Sequence, residues 1–305
     1  MDKHLPLSGV RVLDLSRIIA GPNCTMQLAD LGAEVIKIEI PNSGDDSRRM
    51  KPPEVGGEGH FYLAFNRNKK SIAIDMKAKA GLDLVLRLAA TSDVFVENFR
   101  PGVTKRLGLD YETLHTKFPS LVYCSVSAYG QEGIMSDRPG LDPVFQAEMG
   151  LMSLCGEIDG GPIRHPLSII DLFTSLYAST AVCAAIADQN ATGQGRHIDM
   201  SLMGGAISVL GNAAQYYFTC GEAPPRMGNG FPTVVPVGAF AGRGWARVAG
   251  GRLGLLWLGR RARAPRLLAL LGLLSDGLPL FLCVGLGCLH VLLELLVEAL
   301  CLCLE

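Results

Sequence analysis

Short apolar runs alternate with mixed, helix-length segments from the N-terminus to about Ala241. Residues 10–15 form an apolar run that predicts a strand. A turn from Ser16 to Pro22 follows, and Asn23 is placed to cap a helix ending at Leu31, with Gly32 just after it. Residues 34–39 predict the next strand and complete a β-α-β opening. The alternation continues with a strand over 71–75, a helix over 77–90 and a strand over 93–99. Short helices over 103–107 and 111–117 precede a strand over 121–126. Beyond them the pattern predicts a helix around 143–152, a long helix over 172–190, a strand over 196–203 and a helix over 206–219. Residues 221–229, with Pro224 and Pro225, read as a linker. Such alternation predicts an α/β fold with a parallel sheet covered on both faces.

After Ala241 the character changes. Residues 242–305 are dominated by Leu, Gly, Arg and Cys and contain no Ile, Lys, Asn, Gln, Thr, Tyr or Met. An Arg-rich stretch over 242–266 gives way to a Leu-rich one over 267–304, without a sustained helical or strand period. The apolar run 278–293 suggests a membrane anchor, but Pro279, His290 and Glu294 interrupt or flank it, and a span needs about 20 residues. A leucine-rich helix is a second reading. The narrow alphabet favours a third, an out-of-frame or mis-joined end that packs loosely and carries no chemistry.

The formal net charge of −1 indicates no bulk attraction to nucleic acid or to an anionic membrane. The first six residues have no apolar run behind their charges, so neither a signal peptide nor a transit peptide is expected, and a cytoplasmic location is. The nine cysteines form no C-x-x-C pair, and Cys24, Cys124, Cys155, Cys183 and Cys220 lie in apolar stretches. Buried free thiols are expected, and no metal.

Candidate chemistry gathers at predicted strand ends. The first β-α turn, Ser16-Arg17-Ile18-Ile19-Ala20-Gly21-Pro22, lacks the G-x-G-x-x-G fingerprint. It reads equally as a plain turn or as a helix N-terminus facing a ligand's phosphates. Lys77 follows one predicted strand, and Asn98-Phe99-Arg100-Pro101-Gly102 ends another, with Lys105 and Arg106 one turn on. Ligands of open α/β sheets bind beyond the carboxyl ends of strands, and a polyphosphate ligand wants Lys and Arg there. A solvated basic face is the plainer reading. Asp171 opens the long helix. It reads as a simple N-cap or as a carboxylate held ionised by the helix dipole and ready to attack an activated acyl group.

Several of these segments together resemble class III CoA-transferases of the CaiB/BaiF type. The resemblance rests on Val12-Leu13-Asp14-Leu15 with Ala20-Gly21-Pro22, on residues 31–39, and on Ser43-Gly44-Asp45. Residues 66–77, the turn Val96-Glu97-Asn98-Phe99-Arg100-Pro101-Gly102, Asp171 at the family's catalytic aspartate, and Thr192-Gly193-Gln194-Gly195 complete it. It covers residues 7–241 and none of the tail.

The resemblance implies a Rossmann-like large domain over 1–203, a linker helix and loop over 204–227, and the start of a smaller domain over 228–241. The tail over 242–305 stands apart, as in a family member truncated or frame-shifted at its C-terminus. It further implies an interlocked homodimer when the C-terminal part is present. The small-molecule partners are an acyl-CoA donor and a carboxylic acid acceptor, with neither nucleic acid nor membrane. Asp171 is implied as the covalent nucleophile. Coenzyme A contacts are implied at Ile19, Ala20, Ile74, Asp75, Met76, Lys77, Asn98, Phe99, Arg100 and Arg106.

The chain departs from the family pattern at Leu141, Gly204, Phe231 and Val237, and it lacks the rest of the small domain with its glycine-rich loop. A 2-methylacyl-CoA racemase of the same fold is the enzymatic alternative, but the histidine such enzymes carry before the residue matching Asp142 is Leu141 here. An inactive fragment that keeps only a CoA half-site is the other.

Overall fold

The computed structural model describes residues 4–231, 239–240, 246–250 and 254–258. Strand β1 (Arg11–Asp14) leads through a turn into helix α1 (Ala20–Asp30) and strand β2 (Glu34–Glu39). A 3-10 turn over Asp46–Arg49, a hairpin of β3 (Glu54–Val55) and β4 (Glu58–Gly59), and helix α2 (His60–Phe65) come before β5 (Lys69–Ala73). Helix α3 (Lys79–Ala89) precedes β6 (Val94–Glu97), and α4 (Val103–Leu107) and α5 (Tyr111–Lys117) precede β7 (Val122–Ser127). The chain then runs through α6 (Asp142–Glu148), α7 (Leu151–Leu154) and α8 (Ile169–Thr192) to β8 (His197–Ser201) and α9 (Leu202–Cys220).

Six strands form one sheet in the order β5-β2-β1-β6-β7-β8, and every neighbouring pair is parallel. The chain builds outward from β1 to β2 and β5, then returns to the other side of β1 for β6. That reversal creates a switch point at the carboxyl ends of β1 and β6, where open sheets leave a crevice.

Alternation along the strands sorts the core onto two faces. Val12, Val94, Val96, Val122 and Cys124 pack with Cys24 and Leu28 of α1 and Ala178 and Val182 of α8. Leu13, Phe95 and Tyr123 pack on the other face with Val85 of α3 and Leu114 of α5. Burying each such side chain contributes about 1.5–3 kcal/mol, and a one-residue slip of any strand would exchange the two sets. Helix α8 is, among the described residues, the one helix long and apolar enough to cross a membrane. Its Ala178, Val182, Ala185 and Ile186 lie in the protein core.

Several boundaries differ from the sequence expectation. Helix α1 starts at Ala20, so Asn23 lies inside it, and its Nδ2 donates to Ser175 Oγ at 2.5 Å instead of capping. The helix expected over 143–152 is broken into α6 and α7 because Gly150 adopts φ +77°. Strand β5 lies two residues earlier than the expected 71–75, and its first residue, Lys69, polar by pattern, is buried in an ion pair with Asp14. Helix α9 bends at Gly211, with φ 41° and ψ −112°.

The chain divides into two units, Met1–Gly228 and Asn229–Glu305. In the second, β9 (Ala239–Phe240), β10 (Ala246–Gly250) and β11 (Gly254–Leu258) pair antiparallel in the order β11-β10-β9. Two of these strands lie beyond Ala241, where alternation is too brief to register as a sustained period. The apolar run 278–293 and the rest of the tail lie outside the described residues.

Candidate active site

A cleft of about 890 Å³ opens at the carboxyl ends of β1, β2, β5 and β6. Leu15, Ile38, Ile74, Met76, Val103 and Leu107 give it apolar walls, and Arg17, Lys77, Arg100 and Arg106 bring positive charge. Lys77, Arg100 and Arg106 make no ion pair among the described residues, and Arg17 reaches only Asp46, at 3.5 Å. The Arg17 guanidinium also lies 5.4 Å from the Phe99 ring centroid. Two of the three acids in the wall are already matched by cations. Glu39 is bound by Arg48 at 2.7 Å and Asp45 by Lys37 at 2.9 Å, while Asp75 Oδ1 accepts the Lys77 N–H at 3.0 Å. Burial opposes ionisation of Glu39, yet Arg48, Ser71 and the Asp45 amide hold its carboxyl down at about 2. The cleft therefore suits a ligand with an apolar body and several negative charges.

Asn98 and Arg17 close the switch point. Asn98 Oδ1 accepts the Arg17 N–H at 2.8 Å and its Nδ2 donates to the Arg17 carbonyl at 2.7 Å. Beneath the turn, Asp14 accepts the Ser16 N–H at 2.9 Å, the Thr25 hydroxyl at 2.7 Å and the Lys69 ammonium at 3.1 Å. The Lys69, Lys37, Ser16 and Thr25 contacts outweigh burial and hold Asp14 well below the usual carboxylate range.

Asp171 stands on the opposite face of the sheet, at the same carboxyl edge. Helix α8 feeds the parallel strand β8, so its N-terminus must lie at that edge. Asp171 is the third residue of α8, not its N-cap, and Ser168 at the N-cap position makes no side-chain capping bond. The cap comes from elsewhere. Buried Asp142 of α6 accepts the Ile170 N–H at 2.7 Å and the Asp171 N–H at 3.4 Å through Oδ2. Its Oδ1 accepts from Gln146 Nε2 at 2.6 Å, and Gln146 Oε1 accepts the His165 N–H at 2.8 Å. The approach to α8 is thus fixed from α6, and the Asp171 carboxylate has no capping duty.

The sequence expectation that the helix terminus holds Asp171 ionised is opposed by its surroundings. Burial, and after it the charge of Asp142, push the Asp171 carboxyl up to about 7. A helix dipole contributes about 0.3–1 kcal/mol near the first turn, less than desolvating one carboxylate beside another. The result is a half-buried carboxyl that is only partly ionised at neutral pH.

Of the residues singled out from the sequence, Ile74, Asp75, Met76, Lys77, Phe99, Arg100 and Arg106 line the cleft together. Asn98 sits behind Arg17, and Ile19 and Ala20 are buried at the head of α1. Asp171 is outside the cleft lining; Asn23 of α1, bonded to Ser175 one turn beyond it, ties α1 to α8 on the face opposite the cleft. Sequence reasoning missed Arg17 as a lining residue, Asp142 as the cap of α8 and Gln146 as the side chain that holds Asp142. The motif Ser43-Gly44-Asp45 was the one signal for Asp45. Burial raises the Cys24 and Cys124 thiols, which are inert core groups.

Known proteins extend this picture. The family model described as CoA-transferase family III matches residues 7–252, running past Ala241 into the segment that composition set apart. The succinyl-CoA:glutarate CoA-transferase of Homo sapiens is 44% identical over 240 residues, 79% of this chain and 55% of that protein. The succinate–glutarate CoA-transferase of Agrobacterium fabrum is 42% identical over 237 residues, 76% of this chain and 59% of that protein. The crystal structure of a CAIB/BAIF family protein from Brucella suis superposes with a TM-score of 0.77 at 39% identity, over 81% of this chain and 66% of that one. The chain spans 55% to 59% of the length of these two curated relatives.

Proposed function

The chain belongs to CoA-transferase family III, and from that premise we propose that it moves coenzyme A from a dicarboxylic acyl-CoA to a free carboxylic acid through a covalent intermediate on Asp171. The observation that carries the reading is the placement of Asp171: half-buried in the first turn of α8 and relieved of capping by Asp142, which accepts the main-chain N–H groups there. The dicarboxylate class is supported by relatives named for succinyl-CoA and glutarate.

The ionised Asp171 carboxylate attacks the thioester carbonyl, and CoA leaves as its thiolate, giving an acyl-aspartyl anhydride. The thiolate then attacks the aspartyl carbonyl and releases the donor as a free carboxylate, leaving aspartyl-CoA. The acceptor carboxylate attacks that thioester, and the released thiolate collects the acceptor acyl group. Asp171 returns unchanged. Two covalent stages replace one improbable direct exchange. The apolar cleft with Arg17, Lys77, Arg100 and Arg106 holds the nucleotide end of CoA in this scheme. Homodimeric assembly, and a reducing cytoplasmic setting for the free thiols, belong to the same reading.

The test is to incubate the purified chain with succinyl-CoA and glutarate and to follow glutaryl-CoA by mass spectrometry. Glutaryl-CoA formed by the wild-type chain and not by Asp171→Asn supports the proposal. Binding of CoA without any exchange would reduce the chain to a CoA-binding piece.

A further inference from the structure

A strained residue lies between the cleft and the helix of Asp171. Ile18 adopts φ +73°, in the left-handed region, where a β-branched side chain is a genuine outlier. Such a conformation persists only where its surroundings over-determine it.

Here three side chains grip three consecutive residues by their main chain. Lys37, fully buried on β2, donates to the Ser16 carbonyl at 2.7 Å and pairs with Asp45 at 2.9 Å. Asn98 takes both polar groups of Arg17. Asp45 accepts the Ile18 N–H with both oxygens, at 3.2 and 3.3 Å. Its remaining capacity is taken by the Ser47 N–H at 2.9 Å and the Ser47 hydroxyl at 2.8 Å. Asp45 thus reaches the cleft wall with its acceptors engaged and its charge matched, and it is no ligand group itself. A fully buried Lys–Asp pair is also a poor source of stability, because desolvation offsets its attraction.

What the grip fixes is a crossing. Leu15 and Arg17 line the cleft on one face of the sheet. Two residues after Ile18 the chain enters α1, which packs with α8 on the other face and bonds it through Asn23 and Ser175. We propose that the Lys37–Asp45 pair, assisted by Asn98, is a positioning device that holds Ile18 left-handed, so that one turn presents Arg17 to the cleft while anchoring α1 against the helix of Asp171. This inference rests on the CoA reading of the cleft.

The expected effect follows from population. Strain of this kind corresponds to about 5- to 150-fold between conformers. When the competent conformer falls to about a tenth, the apparent Kd rises about tenfold.

The test is calorimetric titration of the whole chain with CoA, with the unfolding midpoint of each variant measured separately. Asp45→Asn is expected to weaken CoA about tenfold. Glycine reaches φ +73° without steric cost. Ile18→Gly added to Asp45→Asn is therefore expected to bring affinity back to within about threefold of wild type, and Ile18→Gly alone to stay within the same range. If Asp45→Asn does not fold, Asn98→Ala with and without Ile18→Gly is expected to give the same loss and rescue. A lowered midpoint with unchanged CoA affinity, or a loss that Ile18→Gly does not rescue, overturns the proposal. Failure of the wild-type chain to bind CoA sinks the cleft reading and this inference together; unchanged binding in Asp45→Asn sinks this inference alone.

Discussion

Asp142 caps the helix that carries Asp171. One oxygen of Asp142 accepts the main-chain protons of Ile170 and Asp171, and its charge adds to burial in raising the Asp171 carboxyl to about 7. The same contact that builds the helix end thereby tunes the group presented there. The nucleophile must be ionised, so transfer by this chain is expected to rise with pH through about 7. Asp142→Asn keeps an acceptor for the cap and removes the charge. The rising limb of kcat/KM should then move to lower pH, and an unmoved limb would mean that Asp142 does not tune Asp171.

Stability should carry the mirror image of this effect. The folded Asp171 value lies above the ordinary 3.8, so its contribution to stability is full below that pH and is lost as pH rises through about 7. Asp171→Asn cannot ionise. Its melting temperature should exceed that of wild type by a few degrees at about pH 8, and the gap should shrink towards about pH 4. Thermal scans at the two pH values check this. A lower midpoint for the variant at both would contradict it.

Binding should separate from chemistry. Lys77, Arg100 and Arg106 line the cleft without partners among the described residues, whereas Asp171 does not line it. Arg106→Gln is expected to weaken CoA about tenfold, more at low salt than at high. Asp171→Asn is expected to leave CoA affinity near wild type. Titration calorimetry at two salt concentrations reads both.

The floor of the switch point is a charged network, and removing one partner should be costly. Lys69 and Asp14 form an almost fully buried pair at 3.1 Å. Lys69→Met would leave Asp14 buried without that partner, and a loss of about 3–5 kcal/mol is expected in denaturant unfolding. A loss below about 1 kcal/mol would show that Lys37, Ser16 and Thr25 suffice for Asp14.

Much of this was legible from residue order. Helices α4 and α5 begin and end where their apolar spacing put them, and β2 is the strand that its run predicted. Lys77, Phe99, Arg100 and Arg106, just past the ends of β5 and β6, were legible because strand ends and basic residues are both local signals, whereas Ile74, Asp75 and Met76 came only through the family resemblance. What escaped was decided by distant partners. The start of α8 depends on Asp142, 28 residues away from Ile170. Asn23 is a good cap by type, yet it bonds Ser175 across 152 residues. Lys69 reads as a surface residue until Asp14 is placed beneath it. Helix α2 and the hairpin before it are short and carry few buried side chains, so no apolar period marks them.

Capture of the acyl group on Asp171 tests the account most directly. The chain is incubated with succinyl-CoA and hydroxylamine, digested, and mapped by mass spectrometry. A covalent acyl-aspartate or aspartyl-CoA is expected to be intercepted as a hydroxamate at Asp171, dependent on succinyl-CoA and absent from Asp171→Asn. Glutaryl-CoA formed in the parallel exchange assay with no modification at Asp171, or a hydroxamate at another carboxylate, would contradict the covalent role assigned to Asp171.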